Sequence, residues 1–136
     1  MGRKMPTNED IHIGDIFQAT FRDECGSSCA FYQVVGLRAK TLVELRAIRG
    51  ERFWDESCAQ WPTNMVKVRP LPGQFLENCE KFTVRVGRVS EYTGRKCLYG
   101  LGNLYTEMQE GDTGHLSGYD AVYAMEDMKK EGTLPP

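Results

Sequence analysis

Phe82, Val84 and Val86 alternate with Thr83 and Arg85 over five residues, and this period of two constrains the chain more than any other feature. Successive side chains of a strand point to opposite faces, so such a run buries one face and wets the other. The pattern recurs along the chain. Phe17, Ala19 and Phe21 share a face within residues 16–21, and residues 31–35 are rich in aromatic and β-branched side chains. In the next run Val43, Leu45 and Ala47 lie opposite Glu44 and Arg46. Further strands are expected at residues 65–68, near a sheet edge, and from residue 97. Gly14-Asp15 and residues 36–40 read as turns, residues 22–29 as a loop, residues 93–96 as a hairpin turn and residues 99–103 as a bend.

Only the end of the chain changes period. Over residues 117–131 Ala121, Val122, Met125 and Met128 form a helical stripe. Ser117 stands where a cap is needed and Asp120 follows three residues later, a short variant of the capping box. Gly132 is placed to stop the helix, and Glu126 and Lys130 form an i,i+4 pair. Five or six short strands plus one terminal helix predict a mostly β fold. The first expectation is a small SH3-like or partly open antiparallel barrel, and the second an α+β sheet with one packed helix.

The chain's 136 residues suit one domain, with residues 1–10 a flexible lead-in and residues 11–136 a single β-rich domain. Charged residues make up 26% of the chain, too few for a disordered one. No apolar run approaches the ~20 residues of a membrane-spanning helix. Basic residues at the start lead into polar ones, so the expectation is a cytoplasmic protein without membrane association.

The net charge of −2 hides an asymmetry. Residues 31–100 hold 12 Lys/Arg against 7 Asp/Glu, whereas residues 101–136 hold 2 against 7. Either the acidic tail lies on the basic surface within the fold, or each faces its own partner. The acidic candidates for a partner surface are Glu107, Glu110, Asp112, Glu126 and Asp127. On the basic side stand Arg38, Lys40, Arg46, Arg49, Arg52, Lys67, Arg69, Arg85, Arg88, Arg95 and Lys96. With Trp54, Trp61 and Tyr92 nearby, residues of this kind on one outer sheet face offer phosphate contacts and stacking for unpaired bases.

Catalytic signatures are missing. There is no Gly-x-Ser-x-Gly elbow, no phosphate-binding glycine loop with its lysine, and no calcium loop in the acidic run of residues 107–112. Five cysteines without a leader read as reduced thiols. Cys25 and Cys29 are weak metal candidates, since a structural zinc draws on a second close ligand pair that the sequence lacks. Neither cofactor nor metal is expected.

The segments Ile11-His12-Ile13-Gly14-Asp15-Ile16-Phe17, Phe31-Tyr32-Gln33-Val34-Val35-Gly36-Leu37, Thr41-Leu42-Val43-Glu44-Leu45-Arg46-Ala47-Ile48 and Phe82-Thr83-Val84-Arg85-Val86 together resemble small proteins of phages and mobile elements in Gram-positive gut bacteria. That resemblance brings no catalytic residues. It implies an accessory protein that binds host or invader factors, some of its kind inhibiting defence nucleases. The resulting expectation is a non-enzymatic binding protein whose acidic tail occupies the cationic groove of a protein or nucleoprotein target, such as a CRISPR-type nuclease. Direct nucleic-acid binding through the basic sheet face is the alternative, and a zinc-stapled adaptor the third.

Overall fold

The computed structural model describes residues 5–59 and 65–134. Within them eight antiparallel strands form one continuous sheet: β1 (Ile16–Asp23), β2 (Gly26–Arg38), β3 (Leu42–Phe53), β4 (Met65–Phe75), β5 (Phe82–Val86), β6 (Cys97–Gly100), β7 (Asn103–Met108) and β8 (Gly114–Ser117). A single helix, α1 (Gly118–Glu131), follows. The ring runs β1-β2-β3-β5-β6-β7 and returns to β1 through the pairing of Ile16 with Met108 and Gln18 with Thr106. The result is a closed six-strand antiparallel barrel with one C-terminal helix, the small barrel that the alternating segments predict.

β3 is long enough to serve two neighbours. Its first residues, Leu42 to Leu45, pair with β5, and its last, Gly50 to Phe53, pair with β4. β4 in turn carries β8, so these two strands leave the ring and form a flap beside it.

Alternation fills the barrel. Phe17, Ala19, Val34, Val43, Leu45, Val84, Val86, Leu98 and Tyr105 point inward and are buried. Tyr32 meets Tyr105 and Phe82 edge-on, with ring centroids 5.1 and 5.5 Å apart, the arrangement that the ring quadrupole favours. The outward-facing Phe31 and Ile48 are buried too, because they pack with Val68 of the flap. On the flap, Val66 packs with Ala121, Ala124 and Met128 of α1, and half-buried Trp54 joins them. No helix among the described residues is long and apolar enough to cross a membrane.

Several local expectations change. Residues 22–29 are not a loop: β1 and β2 run through them, and Asp23 opposite Gly26 leaves a two-residue turn. The backbone ladder holds these polar strand ends together, so no apolar alternation marks them in the sequence. β4 lies near the sheet edge as expected, between β3 and the terminal strand β8. Its prolines are accommodated where the register steps from Gly50↔Pro70 to Ile48↔Phe75, which leaves residues 71–74 outside the ladder.

Asn8 falls within the expected lead-in, yet it is anchored. Its backbone N–H donates to the Lys40 carbonyl at 2.8 Å, and its side-chain amide donates to the carbonyls of Ala39 and Leu42 at 3.1 and 2.9 Å.

The helix forms as expected and ends at Gly132, whose φ of 76° suits the left-handed cap. Ser117 takes the N-cap position, but its hydroxyl does not cap the helix. Instead it accepts the Ser27 backbone N–H at 3.2 Å and lies 2.5 Å from the Ser27 hydroxyl.

Candidate nucleic-acid interface

Folding brings the two charge classes of the sequence together. Arg95 pairs with Asp112 and also donates to the Glu107 carbonyl at 3.4 Å. The Glu107 carboxylate accepts the Lys96 backbone N–H at 2.9 Å, and the Lys96 ammonium donates to the Asp10 carbonyl. Arg52 reaches Asp127 at 3.3 Å and Glu131 at 3.5 Å on α1. Much of the acidic tail is therefore engaged by the basic middle of the chain. Glu110 and Glu126 are exposed and have no ion-pair partner among the described residues.

More of the basic set is used internally. Lys67 pairs with Asp55 at 2.9 Å, and Arg69 pairs with Glu51 at 3.5 Å while lying 4.0 Å from the centre of the Phe53 ring. Arg46 donates to the Cys79 carbonyl at 3.1 Å and covers Phe75. Among the aromatic candidates, Trp54 is taken up by the helix core and Tyr92 is exposed on the loop between β5 and β6, while Trp61 lies outside the described residues.

Arg38, Lys40, Arg49, Arg85 and Arg88 remain exposed, with no carboxylate partner among the described residues. Two of them share one cross-strand row. Arg38 is the register partner of Leu42, Leu42 of Arg85, Arg85 of Tyr99, and Tyr99 of Leu104. Direct partners in an antiparallel pair present their side chains on the same face. Since Val43, Val84, Leu98 and Tyr105 point inward, this row points outward.

The row crosses five strands, and at ~4.8 Å per strand it spans roughly 19 Å of the curved outer wall. It contains no acidic residue, and Tyr99 and Leu104 stay 43% and 47% exposed despite their apolar bulk. At its flank, Tyr99 packs closely on Gly87: a methyl group there would meet the edge of the ring at 2.0 Å. Lys40 adds a cation in the β2–β3 turn that Asn8 holds. The sequence alone brought forward Arg38, Lys40, Arg85 and Arg88 but not Tyr99 or Leu104. The available signal was the pairing of two outward apolar residues across the bend at residues 100–103.

The thiols lie apart from this band. Cys25 is exposed on the β1–β2 turn, whereas Cys29 is half-buried against Gly114. Burial pushes the Cys29 thiol up to about 11, partly offset by a hydrogen bond from the His115 backbone, so Cys29 is a neutral thiol near pH 7 rather than a nucleophilic thiolate. Among the described residues no three His, Cys, Asp or Glu side chains gather as metal ligands. No protein-family model, curated protein or solved structure matches this chain.

Proposed function

We propose that this chain is a non-catalytic binding protein that holds nucleic acid on the outer wall of its barrel. One observation carries the reading: Arg38 and Arg85, free of carboxylates among the described residues, share an outward row with exposed Tyr99 and Leu104. Guanidinium groups supply phosphate contacts, and the aromatic and apolar side chains supply a surface for bases. The whole chain carries a net charge of −2, so attraction arises from this local band rather than from the global field.

Fluorescence anisotropy with labelled oligonucleotides over a salt series tests it. Affinity should fall linearly with salt on a log–log plot, and Arg85→Glu should weaken binding and lower the slope by about one. Absence of binding at low salt, or full affinity in an Arg38→Glu/Arg85→Glu variant, would retire the reading.

The second reading is a protein or nucleoprotein target, such as a CRISPR-type defence nuclease of the bacterial host, engaged through acidic side chains. It draws on the resemblance to phage and mobile-element proteins and on Glu110 and Glu126, which are exposed without ion-pair partners among the described residues. Charge reversal at those two positions is its test, because Asp112 and Asp127 already hold the fold through Arg95 and Arg52. Undiminished capture of a nuclease by the Glu110→Lys/Glu126→Lys variant would exclude it.

A further inference from the structure

The β6–β7 hairpin carries a residue that its own geometry disfavours. Gly100 pairs with Asn103, so Leu101 and Gly102 form a two-residue loop, and both have positive φ, 52° and 76°. That is the turn in which asparagine, aspartate or glycine is strongly preferred at the first central position. A leucine there holds its backbone in the left-handed region, where Cβ crowds the following carbonyl. Its side chain gains little in return, since it is 74% exposed. Strain in an exposed apolar residue points to a contact outside the chain.

The neighbours of Leu101 indicate what that contact is. Tyr99 and Leu104 pair directly across the same hairpin, so three exposed apolar side chains crowd its end. Arg85 adjoins Tyr99 on the next strand, and Arg38 follows beyond Leu42. An apolar tip that continues into an arginine band complements a polyanion with accessible flat apolar faces. The band also wraps a closed barrel and is therefore convex. Duplex DNA, with a persistence length of ~50 nm, cannot follow so tight a curve without a large bending cost. A duplex also keeps its base faces stacked, while a single strand bends freely and offers every base to an apolar platform.

We infer that the ligand is single-stranded nucleic acid, with unpaired bases resting on Tyr99, Leu101 and Leu104 while Arg85 and Arg38 take the phosphates. This inference rests on the nucleic-acid reading above and narrows it to one class.

The test measures Leu101→Asn beside the wild-type chain in two ways: thermal unfolding, and anisotropy with labelled single-stranded and duplex oligonucleotides. Asparagine relieves the turn, so the midpoint of unfolding should rise by roughly 3 °C. Affinity for the single strand should nevertheless fall about tenfold, with an unchanged salt slope because no phosphate contact is lost. A substitution that stabilises the fold and weakens binding cannot act through misfolding. Tyr99→Ala should lower single-strand affinity by a similar factor.

If the wild-type chain binds duplex as tightly as single strand, or if Leu101→Asn leaves single-strand affinity intact, the inference fails while the nucleic-acid reading stands. If the wild-type chain binds neither oligonucleotide at low salt, both fail, and the hairpin tip serves a protein.

Discussion

Gly26 and Ser117 approach so closely that a methyl group on Gly26 would lie 2.0 Å from the Ser117 carbonyl oxygen. The tip of the β1–β2 hairpin is pressed against the start of α1, and the Tyr119 N–H donates to the Cys25 carbonyl at 2.7 Å. Gly26 also has a φ of 130°, which side chains rarely tolerate. Gly26→Ala should therefore cost about 3 kcal/mol or more, read from urea denaturation. Gly111→Ala, at a φ of 86° with open space around it, should cost only about 1 kcal/mol. Equal losses would show that the close approach is unimportant.

Asp112 holds two partners, the Arg95 guanidinium and the Gln109 backbone N–H at 2.8 Å. Both ion-pair side chains are about two-thirds shielded from solvent. Asp112→Ala should thus cost roughly 1–2 kcal/mol by denaturant titration, whereas Glu110→Lys at an exposed position should stay within about 0.5 kcal/mol of wild type.

The thiols should separate by environment. Cys25 is exposed and should react with an alkylating reagent in the native state, whereas buried Cys58 and Cys97 should react only on unfolding. The Cys29 thiol, at 9.0 when unhindered, is raised to about 11 by burial. Its unfolded form therefore loses its proton first, so its stabilising contribution is complete below pH 9 and declines as the pH rises towards 11. Burial raises Cys97 and Tyr32 as well, with the same sign. Denaturation midpoints should fall over this window, and Cys29→Ala should make the slope shallower, reducing the total loss across the window by roughly 1 kcal/mol after solvent screening. An unaltered slope would assign the alkaline loss to the other two groups.

Asn8 fastens the β2–β3 turn, in which Ala39 has a φ of 50°. Asn8→Ala removes two side-chain hydrogen bonds and should cost about 1–2 kcal/mol. Amide exchange at the turn should accelerate, and oligonucleotide affinity should drop as Arg38 and Lys40 lose their fixed placement.

Strands that carry the barrel interior were legible because alternation writes them into the sequence: Phe82, Val84 and Val86 are the clearest case, and the helix with its Gly132 stop is another. What escaped was held by backbone pairing alone, such as the polar hairpin at Asp23 and Gly26, or by a four-residue strand such as β8. The fate of the charges was illegible for another reason. Arg52 and Asp127 meet only after α1 has packed on β4, the neighbour of β3, and no local pattern announces a pairing between distant segments. Tyr99 and Leu104 were missed because a cross-strand neighbour is a property of register.

The seam between β1 and β7 also bears on how the chain is made. Ile16 is synthesised early, yet its register partner Met108 is among the last strand residues to emerge. Until then the wall of the barrel is an unsealed sheet with a waiting edge on β1, open to pairing with any other extended chain. Ring closure is thus a late event bridging widely separated residues, the kind of step that slows folding, and crowded nascent chains should be most prone to mispair at β1.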